Sequence, residues 1–239
     1  METFNTSTTA GNTNDALRRL PANERVFNWR DHASLWFSLG VGLLVMQMGT
    51  YLVPAVGTRD AVLAIVLGTC VGAGLLAWTA RLGTTSGLTS AGLMHQTYGS
   101  LFAKLPVLLN IAQLIGWTTF ELVIMREGTA AVAKQSLGLQ LDGFTGNAAT
   151  TVLWGGVLAL MLAGSMTQLV RKIIGRYGLP LVIASLLWLS WQFGVKLQAQ
   201  GLDAFVLRAG DGRMGLLSAM DLVIDMPVSW LPLVADYAR

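Results

Sequence analysis

Charge is scarce in this chain. Asp, Glu, Lys and Arg make up 12% of its 239 residues, about half the share of an ordinary soluble domain. That excludes the solvated surface of a globular protein. The chain has one cysteine and two histidines. A single cysteine excludes an internal disulfide, and Cys70 lies in an apolar run, where a thiol packs as a small apolar group. His32 and His95 stand too far apart in sequence for a metal-ligand motif. The H-E-x-x-H, G-x-S-x-G and Walker A patterns are missing too. No catalytic residue, metal ligand or organic cofactor is therefore expected, and the chain does not read as an enzyme. Residues 1–31 hold no apolar signal-peptide core.

What is present is apolar surface: 53% hydrophobic residues, with 27 glycines. The apolar runs reach 20 residues or so, the length that crosses a bilayer as a helix. They do not alternate with polar residues, as barrel strands would. The fold class read from this is all-α, a polytopic membrane protein. A polar tail, 1–32, is expected to be disordered. The transmembrane domain, 33–239, is expected to hold six spans, near 33–56, 60–82, 105–133, 148–170, 177–195 and 214–236. Residues 83–100 join spans 2 and 3 and suit a short interfacial helix. If the N-terminus is cytoplasmic, ten basic residues fall on that side and five on the other. The positive-inside rule then predicts a cytoplasmic N-terminus in the plasma (inner) membrane. The basic residues before span 1 read as this topology signal, and no nucleic-acid partner is expected.

Span 3 carries the residue that most needs explaining. Glu121 sits inside LPVLLNIAQLIGWTTFELVIM, where a carboxylate costs roughly 2.5–3.5 kcal/mol at mid-span. Such a residue marks a functional site by default. Trp117 lies one turn earlier on the same face. An aromatic plane beside a carboxylate suits a flat, hydrogen-bonding ligand. The alternative is a structural pairing of Glu121 with Arg126 or a neighbouring span.

Two other spans are irregular. Span 1 contains Gly40, Gly42 and Gly49 around the polar Gln47. These glycines permit either close helix contact or a helix break whose freed carbonyls bind a cation. Span 6 carries Pro227 and Pro232 on either side of Ser229-Trp230, and two prolines this close break a helix. In span 2, Gly68-x-x-x-Gly72 with Gly74 reads as a packing face. Interrupted helices in spans 1 and 6 imply a repeat of five helices, the signature of inverted-repeat transporters.

Four stretches together resemble the nucleobase–cation symporter-1 family. They are LWFSLGVGLLVMQMGTYLVP in span 1, A-R-L-G-x-x-x-G-L followed by Y-G, G-W in span 3, and S-W-L-P-L-V-A-D-Y-A-R in span 6. The resemblance covers about residues 25–239, and the bacterial hydroxymethylpyrimidine permease branch looks most similar. It implies a LeuT-like fold of five-plus-five inverted helices, of which this chain would be the first half, an N-terminal fragment. It also implies cation-coupled import, with Na+ or H+, of a pyrimidine-type nucleobase or hydroxymethylpyrimidine. The partners would be that small heterocycle, the coupling ion and the lipid bilayer. Trp117 and Trp230 would sandwich the ring, Glu121 would read its edge, and Gln47 and Ser229 would lie beside it. The backbone carbonyls of Leu43 and Met46 would ligate the cation. An amino-acid carrier of similar fold, or a half-length membrane scaffold that does not transport, are the competing readings.

Overall fold

The computed structural model describes residues 17–163 and 175–239, and every regular element among them is helical. This is what a bilayer demands, because backbone polar groups in lipid must be satisfied within the segment. Helix α1 spans Trp29–Gly40 and α2 spans Leu43–Leu52. Helix α3, Thr58–Ser86, is followed by α4, Ser90–Phe102, and α5, Lys104–Leu137. Then come α6, Gly143–Leu162, α7, Leu179–Gln200, and α8, Leu202–Val206. The last are α9, Leu216–Val228, and α10, Val234–Ala238. Four helices are long and apolar enough to cross a membrane, and the bent pair α1–α2 makes a fifth. The end of the expected span 4, with Arg171 and Lys172, lies outside the described residues, as do residues 1–16 of the tail.

Helix α1 starts four residues before the expected span because Asn28 caps it. The Asn28 side chain accepts from the backbone N–H of Arg30 at 2.8 Å and of Asp31 at 3.1 Å. The Asp31 carboxylate accepts in return from the Asn28 N–H at 3.0 Å, a capping box. The helix stops where Val41 and Gly42 turn extended. The two pieces meet at 52°. A Cβ added to Gly40, Gly42 or Gly49 would meet nothing within 4 Å. Of the two readings of these glycines, the structure therefore favours the break over close contact. The connector after span 2 is helical, as expected: α4 begins with the Thr89 hydroxyl accepting from the Gly92 N–H at 2.8 Å.

The chain forms two compact units. One consists of Val26–Gly68 and Ala112–Val223. Its buried core is Leu52, Val56, Ala61, Ala64 and Ala219. The loop after α8 grips the α2–α3 turn. The Thr58 hydroxyl donates to the Phe205 carbonyl at 2.7 Å, and the Asp211 N–H donates to that of Pro54 at 2.9 Å. Hydrogen bonds from Arg213 hold the Asp211 carboxyl below its usual range. In the same unit Gly68 sits where a Cβ would fall 2.8 Å from the Val223 Cβ.

The other unit consists of Thr69–Ile111, Ile224–Arg239 and the described part of Met1–Arg25. Here Gly72 abuts the Pro227 ring and Gly83 abuts Ala235. The partners rise together in number, so α3 and the last span run in the same direction, as two even-numbered spans must. Gly74 corrects the expectation for this face: a Cβ on it meets nothing within 4 Å. Two residues beyond Gly72 it lies about 200° around the helix, on the opposite side. The tail, expected to be disordered as far as residue 32, is ordered in its described part. The Leu20 N–H donates to the Gly87 carbonyl at 2.8 Å.

The two glycines give a differential test. Gly72→Ala drives a methyl into Pro227 and is expected to destabilise the protein by about 1–3 kcal/mol. Gly74→Ala gains helix propensity and is expected to be neutral or stabilising by up to about 1 kcal/mol. Thermal melting of both variants in detergent reads the difference, and equal effects would contradict the packing described.

Candidate functional site

The last span breaks where its prolines dictate. Pro227 sits in the last turn of α9, and Pro232 has no N–H to offer the ladder. Between Val228 and Val234 the backbone makes tight turns. The N–H of Trp230 donates to the Pro227 carbonyl at 3.2 Å, Leu231 to Val228 at 3.0 Å, and Leu233 to Trp230 at 3.0 Å. The Ser229 hydroxyl turns back to donate to the Met226 carbonyl at 2.7 Å. Trp230 is half-buried in the middle of the break.

The Asn110 side chain from span 3 reaches this break. The Asn110 amide donates to the Pro232 carbonyl at 3.2 Å, while its own Oδ1 is buried without a protein partner. Sequence reasoning passed Asn110 over. The available signal was its spacing: Asn110, Trp117 and Glu121 are seven and four residues apart. On a continuous helix such as α5 they fall within about 20° of one line.

On that line Trp117 is half-buried and stands edge-on to Phe120, with ring centroids 6.3 Å apart and planes at 78°. Glu121 is exposed. The structural pairing considered for it is not made with Arg126, which instead meets its neighbour Glu127 at 3.3 Å. Further along α5, the Thr129 hydroxyl accepts from the Trp154 indole N–H at 2.9 Å, tying α6 to the same helix.

In span 1, Gln47 is exposed on α2, in the turn after Leu43 and Met46. The Met46 N–H donates to the Gly42 carbonyl at 3.1 Å. The break thus precedes both residues, and a helix that ends, as α1 does at Gly40, leaves its last carbonyls without intrahelical partners. Among the described residues no three His, Cys, Asp or Glu side chains cluster as a metal site would require.

Comparison with known proteins gives the family. Residues 19–239 match a family model described as a permease for cytosine/purines, uracil, thiamine and allantoin. A purine-uracil permease of Arabidopsis thaliana is 29% identical over 110 residues, which are 46% of this chain and 18% of that relative's own length. No solved structure matches the chain.

The Asn110 contact makes its own test. Asn110→Leu leaves the Pro232 carbonyl without its donor, a loss worth about 1–3 kcal/mol if the group stays buried. Hydrogen exchange across residues 228–234 is expected to quicken, with α6 unaffected. Unchanged exchange there would show that the contact does not hold the break.

Proposed function

Because the chain belongs to the permease family for cytosine/purines, uracil, thiamine and allantoin, we propose that it takes part in membrane transport of a flat, nitrogen-rich heterocycle. A pyrimidine-type base or hydroxymethylpyrimidine fits the residues best. The family match carries the reading, and span 3 supports it: Trp117 offers a flat face and Glu121, one turn on, a hydrogen-bonding edge. In this reading Trp117 is one wall of the site and Trp230 the other, because stacking needs two planar surfaces. Glu121 reads the ring edge. As a carboxylate it accepts from an exocyclic amine, and in its protonated form it also donates to a ring nitrogen. Gln47 and Ser229 add polar contacts beside the ring.

The span 1 break supports a coupling cation, Na+ or H+. A break frees carbonyl oxygens, the ligands hard cations prefer. The carbonyls freed by the break end α1. Leu43 and Met46, the donors the family resemblance implies, lie in α2 just after it, and in this proposal their carbonyls join the ion when the first turns of α2 open. Binding of the ion would draw α1 and α2 into one arrangement and so favour the shape that holds substrate. The proposed orientation has a cytoplasmic N-terminus, on the basic-residue count given above.

Uptake by the full-length protein in cells lacking their own carriers tests the site. Trp117→Ala and Trp230→Ala are each expected to lower uptake of a radiolabelled pyrimidine by about tenfold or more, the loss of one stacking wall. Glu121→Gln keeps the shape and removes the charge. It is expected to change the preference between an aminopyrimidine and an oxopyrimidine and to flatten the dependence of uptake on external pH. Unchanged preference and unchanged pH dependence would remove Glu121 from the site.

A further inference from the structure

Helix α1, the half of span 1 that ends at the break, has one inward face. Leu35 on that face is 4% exposed, whereas Phe37 and Leu39 on the other side are 42% and 38% exposed. Ser34 and Ser38 stand beside Leu35, one turn apart on the inward side. Their hydroxyl oxygens are sealed from solvent, and neither has a hydrogen-bond partner.

Hydroxyls in other helices of the chain turn back on their own backbone. Thr79 donates to the Leu75 carbonyl at 3.1 Å, Thr119 to that of Ile115 at 2.7 Å, Thr129 to Met125 at 2.8 Å and Thr150 to Gly146 at 2.8 Å. Ser34 and Ser38 have the same option, the carbonyls of Arg30 and Ser34 four residues back, and leave it unmade. A buried hydroxyl without a partner costs free energy, so native proteins rarely keep two of them one turn apart. Their usual partner is a water or an ion held at the site.

The rest of the inward face indicates the kind of guest. Asp31 lies three residues before Ser34, in the first turn of α1, where its carboxylate accepts from the Asn28 N–H. Arg30, one turn before Ser34, is exposed, and its guanidinium sits over the Trp29 ring at 5.4 Å from the centroid. Helix α7 packs on α1 and brings no charged residue before Lys196. Beyond Ser38 the helix ends at Gly40, where its last carbonyls lose their intrahelical partners. From the N-terminal end inward the face thus offers a carboxylate, two hydroxyls and freed carbonyls. Asp31, Ser34 and Ser38 follow one another at a rise of about 4.5–6 Å. Oxygen ligands in series suit a hard cation with its waters, and polar groups inside a span mark ion pathways.

We propose that Ser34 and Ser38 line a hydrated path for a monovalent cation. The path follows the inward face of α1 from the membrane face carrying the N-terminus to the break at Gly40–Gly42. It rests on the transport reading only in taking the break as the cation's destination.

The test uses the full-length protein in a Cys70→Ala background, in right-side-out and inverted vesicles. Ser34→Cys and Ser38→Cys replace each hydroxyl by a thiol of similar size. Phe37→Cys places a thiol on the outward side of the same helix. The probes are two small, impermeant methanethiosulfonates, one cationic and one anionic. From the N-terminal face the cationic probe is expected to modify both serine positions faster than Phe37→Cys by about tenfold or more, because only a hydrated, ionised thiol reacts. It is also expected to outpace the anionic probe there. Slowing by sodium chloride relative to choline chloride assigns a metal ion as the passenger, and equal rates in the two salts assign the proton. Rates no higher than at Phe37→Cys reveal a dry seam and overturn the path. An anionic probe that keeps pace overturns the cation. Ser34→Ala and Ser38→Ala give a second measurement, thermal melting in detergent, that does not depend on an introduced thiol. Loss of a hydroxyl that holds water leaves the melting temperature unchanged or lowers it, whereas loss of one that hangs in a dry gap raises it. A rise in both variants overturns the path. These readouts need no transported solute, so a failure to take up pyrimidines leaves them standing and separates the two proposals.

Discussion

A helix interrupted inside a membrane needs a neighbour that can come close enough to share the load, and here that neighbour is the glycine edge of α3. Gly72 admits the Pro227 ring and Gly83 admits Ala235. With no side chain between them, backbone packs on backbone, which gives van der Waals contact and excludes lipid from the exposed carbonyls. Without that approach the turn at Ser229–Leu233 would have to satisfy its polar groups alone. A side-chain donor from span 3, Asn110, comes from the same unit. Trp230, a residue of the proposed site, therefore sits in a break that leans on two glycines of another span.

The irregular spans were legible to different degrees. Pro227 and Pro232 announce the break in span 6, because proline removes a donor whatever surrounds it. The glycines of span 1 were ambiguous, because glycine serves a kink and a tight contact equally well. The extended backbone at Val41 and Gly42 and the open space around Gly40 and Gly42 separate the two. Gly74 was grouped with Gly68 and Gly72 by spacing, but packing depends on which side of the helix a residue takes. The start of α1 could have been read from Asn28-x-x-Asp31, a capping pattern that a search for apolar runs passes over. The order in residues 17–25 could not, because their composition is polar and their partner, Gly87, lies more than 60 residues on.

The candidate site was half legible. A carboxylate among apolar residues draws attention by its cost, and Trp117 follows by helical spacing. Asn110 is a modest polar residue of the same span, and its importance lies in a partner that has no side-chain signature, the carbonyl of Pro232. Contacts to backbone atoms leave little trace in the sequence of the partner. The exposed Glu121 fits this picture. It makes no ion pair with Arg126, which meets Glu127 instead.

The pairing of α3 with the last span also has a consequence for biogenesis. The hydrogen bonds from the end of α3 and the start of α4 to α10 join residues 154 and 146 positions apart. At about 5–20 residues per second, the ribosome needs on the order of ten seconds or more to make the chain between them. Throughout that interval the glycine edge of α3 lacks the last span, its partner in the folded chain. Such an edge invites any other small-residue helix emerging nearby. Correct assembly is then a matter of timing as much as affinity, and an insertion chaperone that shields α3 until the last span arrives would act at this step.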